Sequence, residues 1–488
     1  MRRDGWRRVR LVAFFLWSAA GLVQGASGDP FYMGADISLA TFMQQQNIHF
    51  FDNGVDRPME QILYDRGANL FRLRIFVNPQ TTYTNGNAGA IQTQAYDIAL
   101  AQQIKAYAPN AKLLLDFHYS DTWADPGQQT KPAAWSSLSF SQLQETVQTY
   151  TRDTLQAFQA AGVMPEMVQL GNETIGGMLW GTTANPAGGR IVFSGAGQQA
   201  SWQNYGALVN SAIQGVREAQ GAGPKIDIGV HIDQGDFSGR PQFFFGNVTN
   251  PAWGNVSDFD IVGVSYYPST RANHSLALLE SNLNAVADTY PGKKIMVLET
   301  NYSWEETPLY SDVGVLQWPE TPAGQQQFLT DLQNVMLNLH NDAGAGIVWW
   351  YPEAVKVPGF NIYHDGLTAL FDDSYNVLPA LDTFAVTLVP GDINGDQDVD
   401  LDDFASLRNN FNAVFAGRPA GDLNGDGVVD LFDFAEWKEH VSTTGAGSGS
   451  IVPEPAAAAP IAIPLLLGLG WARFRRESLP VQTHIRHL

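Results

Sequence analysis

Eight short apolar runs, separated by longer stretches with helical character, occupy residues 29–388 of this 488-residue chain. They lie at 33–37, 70–77, 112–118, 167–170, 226–231, 261–266, 295–298 and 346–350. Runs this short and this apolar suit strands covered on both faces, as in a parallel sheet flanked by helices. Eight in alternation predict an α/β fold, a (β/α)8 TIM barrel, whose chemistry sits where the strands end. Polar residues gather at those ends. Asp36 closes the first run, Arg72 and Arg74 lie in the second, His118 closes the third and Asn172-Glu173 follow the fourth. His231, Tyr266-Tyr267, Glu299 and Trp349-Trp350 mark the remaining four. One buried Arg or His is usually a satisfied core residue, but a packed barrel requires none of these eight sets.

Two carboxylates across a barrel mouth are what glycoside hydrolysis needs, one to protonate the leaving oxygen and one to attack or to activate water. Glu173 and Glu299, after runs four and seven, meet that requirement, and Asn172 is placed to hold a sugar 2-hydroxyl. Tyr266 or Tyr267, with Arg72 and Arg74, is expected to keep Glu299 ionised through hydrogen bonds and positive charge. Thirteen tryptophans suit flat sugar rings as well as cores. The residues alone leave open a mannanase, a glucanase or another β-glycanase with the same carboxylate pair, and a non-catalytic polysaccharide-binding surface protein.

Asp and Glu outnumber Lys and Arg by 49 to 28, which gives a net charge of -21 and argues against a nucleic-acid partner. The absence of cysteine excludes disulfides, thiolate metal sites and a cysteine nucleophile. Between residues 390 and 443 the acidity has a pattern. Asp392, Asn394, Asp396, Asp400 and Asp403 stand at positions 1, 3, 5, 9 and 12 of a loop, and Asp422, Asn424, Asp426, Asp430 and Asp433 repeat the spacing 30 residues on. Oxygen donors so spaced wrap a hard cation, so Ca2+ is expected here, while catalysis needs no cofactor. Gly427 provides the sharp turn at position 6 of the second loop, where the first has Gln397.

At the N-terminus, five Arg within residues 1–10, an apolar run over 11–23 and the small residues 25–28 read as a secretory signal peptide, residues 1–27. The run is shorter than the roughly 20 residues that span a bilayer. After a linker at 444–451, residues 452–476 carry Pro453-Glu454-Pro455, an apolar stretch and Arg473, Arg475 and Arg476. This resembles the PEP-type C-terminal sorting signal of bacterial exported proteins, although 12 further residues follow it. The two ends imply a secreted or cell-envelope location in a bacterium and sorting machinery as a partner.

The segments GADIS (34–38), FRLRIFVNP (71–79), LLLDFHYSDTWADPGQQTKPAAW (113–135), VQLGNETIGGMLW (168–180), VGVSYYP (262–268), IMVLETNYSW (295–304) and TPAGQQQFL (321–329) resemble, in order, the glycoside hydrolase family 53 endo-β-1,4-galactanases. The resemblance implies a catalytic domain at 29–388 that hydrolyses galactan or arabinogalactan with retention, Glu173 acting as acid/base and Glu299 as nucleophile. It implies substrate contacts from Asp36, Arg72, Arg74, His118, Trp123, Asn172, His231, Tyr266 and Trp350. Two departures stand out. Tyr351-Pro352-Glu353 follows Trp350 where the family usually has Glu-Pro, and the neighbours of His231 and Asp233 differ. With Asp rather than Glu at position 12 and no entering helices, residues 390–443 resemble a type I dockerin, which implies a cohesin-like partner. The docking positions hold Leu401-Asp402 and Leu431-Phe432 instead of small hydroxyl residues.

Overall fold

The computed structural model describes residues 31–268, 275–307, 316–386, 391–393, 399–413, 421–423 and 428–441. The expected signal peptide, linker and C-terminal sorting segment lie outside these residues, as do the expected calcium ligands Asn394, Asp396, Asn424 and Asp426. Among the described residues no helix is long and apolar enough to cross a membrane.

Eight parallel strands close into a barrel: β1 (Tyr32–Asp36), β2 (Leu70–Ile75), β3 (Lys112–Phe117), β4 (Met167–Leu170), β5 (Asp227–Ile232), β6 (Ile261–Ser265), β7 (Lys294–Thr300) and β8 (Gly344–Trp350). Each pairs with its neighbours in sequence, and β1 closes the ring against β8 from Tyr32↔Gly346 to Asp36↔Trp350. The apolar runs at 295–298 and 346–350 understate β7 and β8, because pairing continues through polar Glu299-Thr300 and begins at the small residues Gly344-Ala345.

Two short helices, α1 (Ala40–Gln45) and α2 (Met59–Asp65), precede β2. The connections that follow carry α3 (Gln94–Tyr107), α4 (Phe140–Ala160), α5 (Gln198–Gln220), α6 (Arg240–Thr249), α7 (Leu276–Thr289) and α8 (Pro322–Leu337). Four start at hydroxyl caps: Thr93, Ser139, Ser275 and Thr321 each accept a first-turn N–H, and Ser139 with Gln142 forms a reciprocal capping box. After β8 two 3-10 segments, Tyr363–Gly366 and Pro379–Phe384, stand where a last barrel helix would, and Gln333 of α8 ties to the second by donating to the Thr383 carbonyl at 2.6 Å.

Alternation along the strands explains how one barrel holds both a core and a site. Side chains two apart share a face. Tyr32, Leu70, Leu114, Met167, Ile261, Met296, Leu298 and Val348 form one apolar plug inside the barrel. Two residues further along the same faces stand Arg72 after Leu70, Asp116 after Leu114, Gln169 after Met167 and Trp350 after Val348. A change from apolar to polar on the inward face therefore separates the plug from the mouth.

Strand β7 departs from this rule. Val264 pairs with Val297 but Ser265 pairs with Glu299, so Leu298 is an extra residue in β7. The bulge keeps Leu298 in the plug and turns Glu299 to the mouth as well, although the two are adjacent. Gly263 makes room for it: a Cβ there would lie 2.3 Å from Leu298 Cδ1.

In the C-terminal segment, α9 (Leu401–Asn409) and α10 (Leu431–His440) begin with matching capping boxes, Asp400 with Asp403 and Asp430 with Asp433. Ile393, Val399, Leu407, Leu423, Val429 and Trp437 make a small core, with Phe404 and Phe434 stacked on Trp437.

Candidate active site

Glu173 and Glu299 line one pocket of about 600 Å³ together with Trp123, Asp125, Asn172, Tyr267, Trp350, Tyr351 and Tyr363. The backbone delivers Glu173 through two left-handed residues. Gly171 has φ 87°, with no space for a Cβ against Thr174, and Glu173 itself has φ 46°. That region is unfavourable for a non-glycine residue, and such strain often accompanies functional positions.

Beneath the pocket lies Arg72, fully buried. Its Nη1 donates to Asp36 Oδ2 at 2.7 Å, its Nη2 to Asp116 Oδ2 and Glu299 Oε1, both at 2.8 Å, and to Asn172 Oδ1 at 3.0 Å. Its Nε donates to Gln169 Oε1 at 3.1 Å. Burial opposes the charge, but Asp116, Glu299 and Asp36 outweigh it and hold the guanidinium protonated. Arg74 donates to Asp36 Oδ1 at 3.1 Å and to the Tyr351 hydroxyl at 2.9 Å, with the Trp123 and Tyr351 rings 4.6 and 4.5 Å from its guanidinium. His118 Nδ1 accepts from the Ala124 N–H at 3.1 Å, and its Nε2 lies 3.0 Å from Asp116 Oδ2.

The two glutamates differ in their partners. Glu299 accepts from Arg72 and, at 3.1 Å, from the Tyr267 hydroxyl. Glu173 accepts from the Ser265 hydroxyl at 2.7 Å, and Ser265 in turn lies 2.9 Å from His231 Nε2. His231 is neutral, because burial and the Arg72 charge push its pKa well below the usual value. Its Nδ1 faces the Gln169 amide at 3.0 Å and accepts from the Glu173 N–H at 3.3 Å. This ordering makes Nε2 the protonated nitrogen and donor to Ser265, which then donates to Glu173.

Burial raises the pKa of both carboxyls, contrary to the expectation that the arginines keep Glu299 low. The contrast between the two survives. For Glu299 burial outweighs the pull of Arg72, whereas Glu173 has no such cation and is raised well above the usual value by burial, then by the charges of Glu299 and Asp233. One proton shared between them therefore resides on Glu173.

Of the expected substrate contacts, Trp123, Asn172 and Trp350 line the pocket. Asp36, Arg72, Arg74, His118 and His231 are at most 1% exposed and form a layer beneath it, so they hold the groups that meet a ligand. Tyr266 is a correction. It is buried against Phe328 of α8 on the outside of the barrel, and Tyr267 takes the place by the pocket. Alternation carries the missed signal: Gly263 faces inward beside Leu298 and Ser265 beside Glu173, so 267 is the next inward position. Gln169, Ser265 and Tyr351 were also missed, all polar positions on inward faces or at a strand end.

The sequence profile described as Glycosyl hydrolase family 53 matches residues 32–384. The chain belongs to this family. An arabinogalactan endo-β-1,4-galactanase of Thermothelomyces thermophilus is 34% identical over 324 residues, 66% of this chain and 89% of that protein. The endo-β-1,4-galactanase of Bacillus subtilis is 32% identical, covering 69% and 72% respectively. Among solved structures, a fungal β-1,4-galactanase superposes with a TM-score of 0.62 at 32% identity, covering 73% of this chain and 99% of that one. The family 53 catalytic domain of Ignisphaera aggregans gives 0.62 at 28%, covering 74% and 98%. The profile of a Dockerin type I domain matches residues 390–442.

The Tyr-Pro-Glu departure places Glu353 in full burial behind Asp36, with one oxygen accepting the Leu39 N–H at 2.8 Å. Burial, then Asp36, raises its pKa from 4.5 to about 8. An unfolded chain would ionise it near 4.5. Its contribution to stability is therefore present in full below that pH and lost as pH rises through 8. Denaturant unfolding should show wild type losing stability relative to Glu353→Gln between pH 5 and pH 8.5, by up to about 4 kcal/mol. Parallel pH profiles for the two proteins would reject a neutral Glu353.

Proposed function

We propose that this chain is a secreted endo-acting galactanase that cleaves β-1,4-galactosidic bonds of galactan or type I arabinogalactan by double displacement. The observation that carries the reading is the unequal setting of two carboxyls in one pocket. Glu299, held by Arg72 and Tyr267, is the carboxylate, and Glu173, more strongly raised, is the acid. The names of the relatives supply the choice of galactan.

In the first step Glu299 attacks the anomeric carbon from below while Glu173 delivers its proton to the departing oxygen. Because Ser265 occupies Glu173 Oε1, Oε2 is the oxygen left to carry the proton toward the substrate. Asn172 commits one amide N–H to the Ala124 carbonyl at 2.9 Å, which leaves the other for the sugar 2-hydroxyl. That bond strengthens as positive charge develops on the ring. Trp123 and Trp350 give the sugar apolar walls. In the second step Glu173, now ionised, takes a proton from water, and the water releases the sugar from Glu299 with its original configuration.

Wild type should release short galacto-oligosaccharides from lupin or potato galactan and leave mannan and cellulose uncut. Glu299→Ala should lose turnover by about a thousandfold or more and recover in azide with an α-galactosyl azide product. Near wild-type turnover in Glu299→Ala, or cleavage of mannan in preference to galactan, would refute the respective half of the proposal.

For the C-terminal module we propose two Ca2+ ions. The donor set fits a hard cation: Asp392, Asp403, Asp422 and Asp433 are buried carboxylates. Each position-12 carboxylate also accepts two backbone N–H groups, Asp403 those of Ile393 and Asp400, and Asp433 those of Leu423 and Asp430. Bound calcium would neutralise acidic loops that otherwise repel one another. Asp392, Asn394, Asp396, Asp400 and Asp403 would hold one ion and the matching residues Asp422, Asn424, Asp426, Asp430 and Asp433 the other. Leu401, Leu431 and Phe432 are more than half exposed at the positions the dockerin resemblance assigns to a cohesin-like partner, and their apolar character asks for an apolar counterpart. Secretion rests on the N-terminal segment, and tethering by sorting machinery on the Pro-Glu-Pro tail. Calorimetry of the whole protein should show chelator abolishing one transition and leaving galactan hydrolysis intact. A thermogram indifferent to calcium would remove the metal from this account.

A further inference from the structure

Arg72 holds Glu299 directly, and an unbroken line of hydrogen bonds joins it to Glu173 as well. Arg72 Nε donates to Gln169 Oε1 at 3.1 Å, and Gln169 Nε2 lies 3.0 Å from His231 Nδ1. His231 Nε2 lies 2.9 Å from the Ser265 hydroxyl, which reaches Glu173 Oε1 at 2.7 Å. The three residues between Arg72 and Glu173 come from β4, β5 and β6 and are at most 1% exposed.

Chemistry gives this line one direction. A guanidinium has no acceptor, so Gln169 must turn its oxygen to Arg72 and its amide N–H groups the other way. Those N–H groups face His231 Nδ1, Asn172 Oδ1 at 3.0 Å and the Gly171 carbonyl at 3.3 Å. His231 Nδ1 meets two further groups. One is the Glu173 backbone N–H at 3.3 Å, which can only donate, and the other is Asn172 Oδ1 at 3.1 Å, which already receives Arg72 and Gln169. Two N–H groups aimed at Nδ1 make it the acceptor and leave the ring proton on Nε2. Nε2 then donates to Ser265, whose single hydroxyl hydrogen goes to Glu173 Oε1. Reversing any of the first three links would bring two N–H groups face to face at full burial, where an unmade bond is costly.

We propose that Gln169 is a positioning residue for the acid: oriented by Arg72, it fixes the His231 tautomer and through Ser265 keeps a donor on Glu173 Oε1 in both steps, so that Oε2 alone gives and recovers the proton. The proposal rests on Glu173 as acid and base of the double displacement. One guanidinium thereby serves both carboxyls, Glu299 by contact and Glu173 through an amide. A donor on Oε1 favours the carboxylate over the acid. Burial, then the charges of Glu299, Asp233 and Asp125, raise the Glu173 pKa, and the Ser265 bond lowers it. Tyr267 and Tyr363, from the loops after β6 and β8, also face this carboxyl as neutral phenols.

Two variants separate this role from a structural one. Ser265→Ala should lower kcat/KM on galactan about tenfold and move the alkaline limb of its pH profile up by about one unit, because Glu173 without the donor keeps its proton to higher pH. A packing defect would lower the rate and leave the limb in place. Gln169→Glu keeps the size of the side chain but cannot donate, so it should put a proton on His231 Nδ1, whereas wild type should carry one on Nε2 alone. Nitrogen NMR of isotopically labelled histidine reads the difference, with His231 assigned by its loss in His231→Gln. An unmoved or lowered limb in Ser265→Ala, or His231 still protonated at Nε2 alone in Gln169→Glu, would overturn the proposal. Full turnover of galactan by Glu173→Ala would instead refute the acid assignment on which it rests.

Discussion

A single buried guanidinium organises the mouth of this barrel. Arg72 of β2 reaches Asp36 on β1, Asp116 on β3, Gln169 on β4, Asn172 just beyond β4 and Glu299 on β7, so its bonds join five strands, its own included. A charge removed from water at this depth is costly unless its donors are satisfied, and here every carboxylate it meets lies on a different strand. Strand ends that could each move alone are thereby tied to one group. Loss of the Arg72 charge would leave Asp116 and Glu299 buried without their arginine and Asp36 with Arg74 alone, which is why burial of this many acids depends on it.

The same group sets up the asymmetry that hydrolysis exploits. Burial raises both glutamates, and only Glu299 has the cation to offset it. Glu173 instead faces a neutral chain, from His231 to Ser265 to its own Oε1, that orients the carboxyl without removing its proton. Two identical side chains acquire different tasks from their surroundings, a pattern common among glycosidases.

Much of this was readable in the sequence for a simple reason: strands covered on both faces are almost wholly apolar, so a polar residue at their ends stands out. That contrast located all eight strands and brought Asp36, Arg72, Arg74, His118, Asn172, Glu173, His231 and Glu299 to one end of the barrel. It did not separate the residues that touch a ligand from the layer that supports them, since both are polar and both sit at strand ends. Side-chain parity was the finer signal. It selects Tyr267 over Tyr266, but it points the wrong way at Glu299, where the bulge at Leu298 makes two adjacent residues face inward. A bulge depends on pairing between distant strands, and local sequence does not encode it. The upward shift of the Glu299 pKa by burial escapes the sequence similarly, because Arg72 is visible there and the depth of the site is not.

The central claim is that Arg72 and Tyr267 hold Glu299 as the attacking carboxylate while Glu173 keeps the proton. The most direct test is to inactivate the enzyme with a 2-deoxy-2-fluoro-β-galactobioside carrying a dinitrophenyl leaving group and to map the labelled peptide by mass spectrometry. The account predicts one glycosyl ester, on Glu299, and slow reactivation in buffer. A label on Glu173, or rapid turnover that gives the α-anomer with no trapped ester, would contradict it.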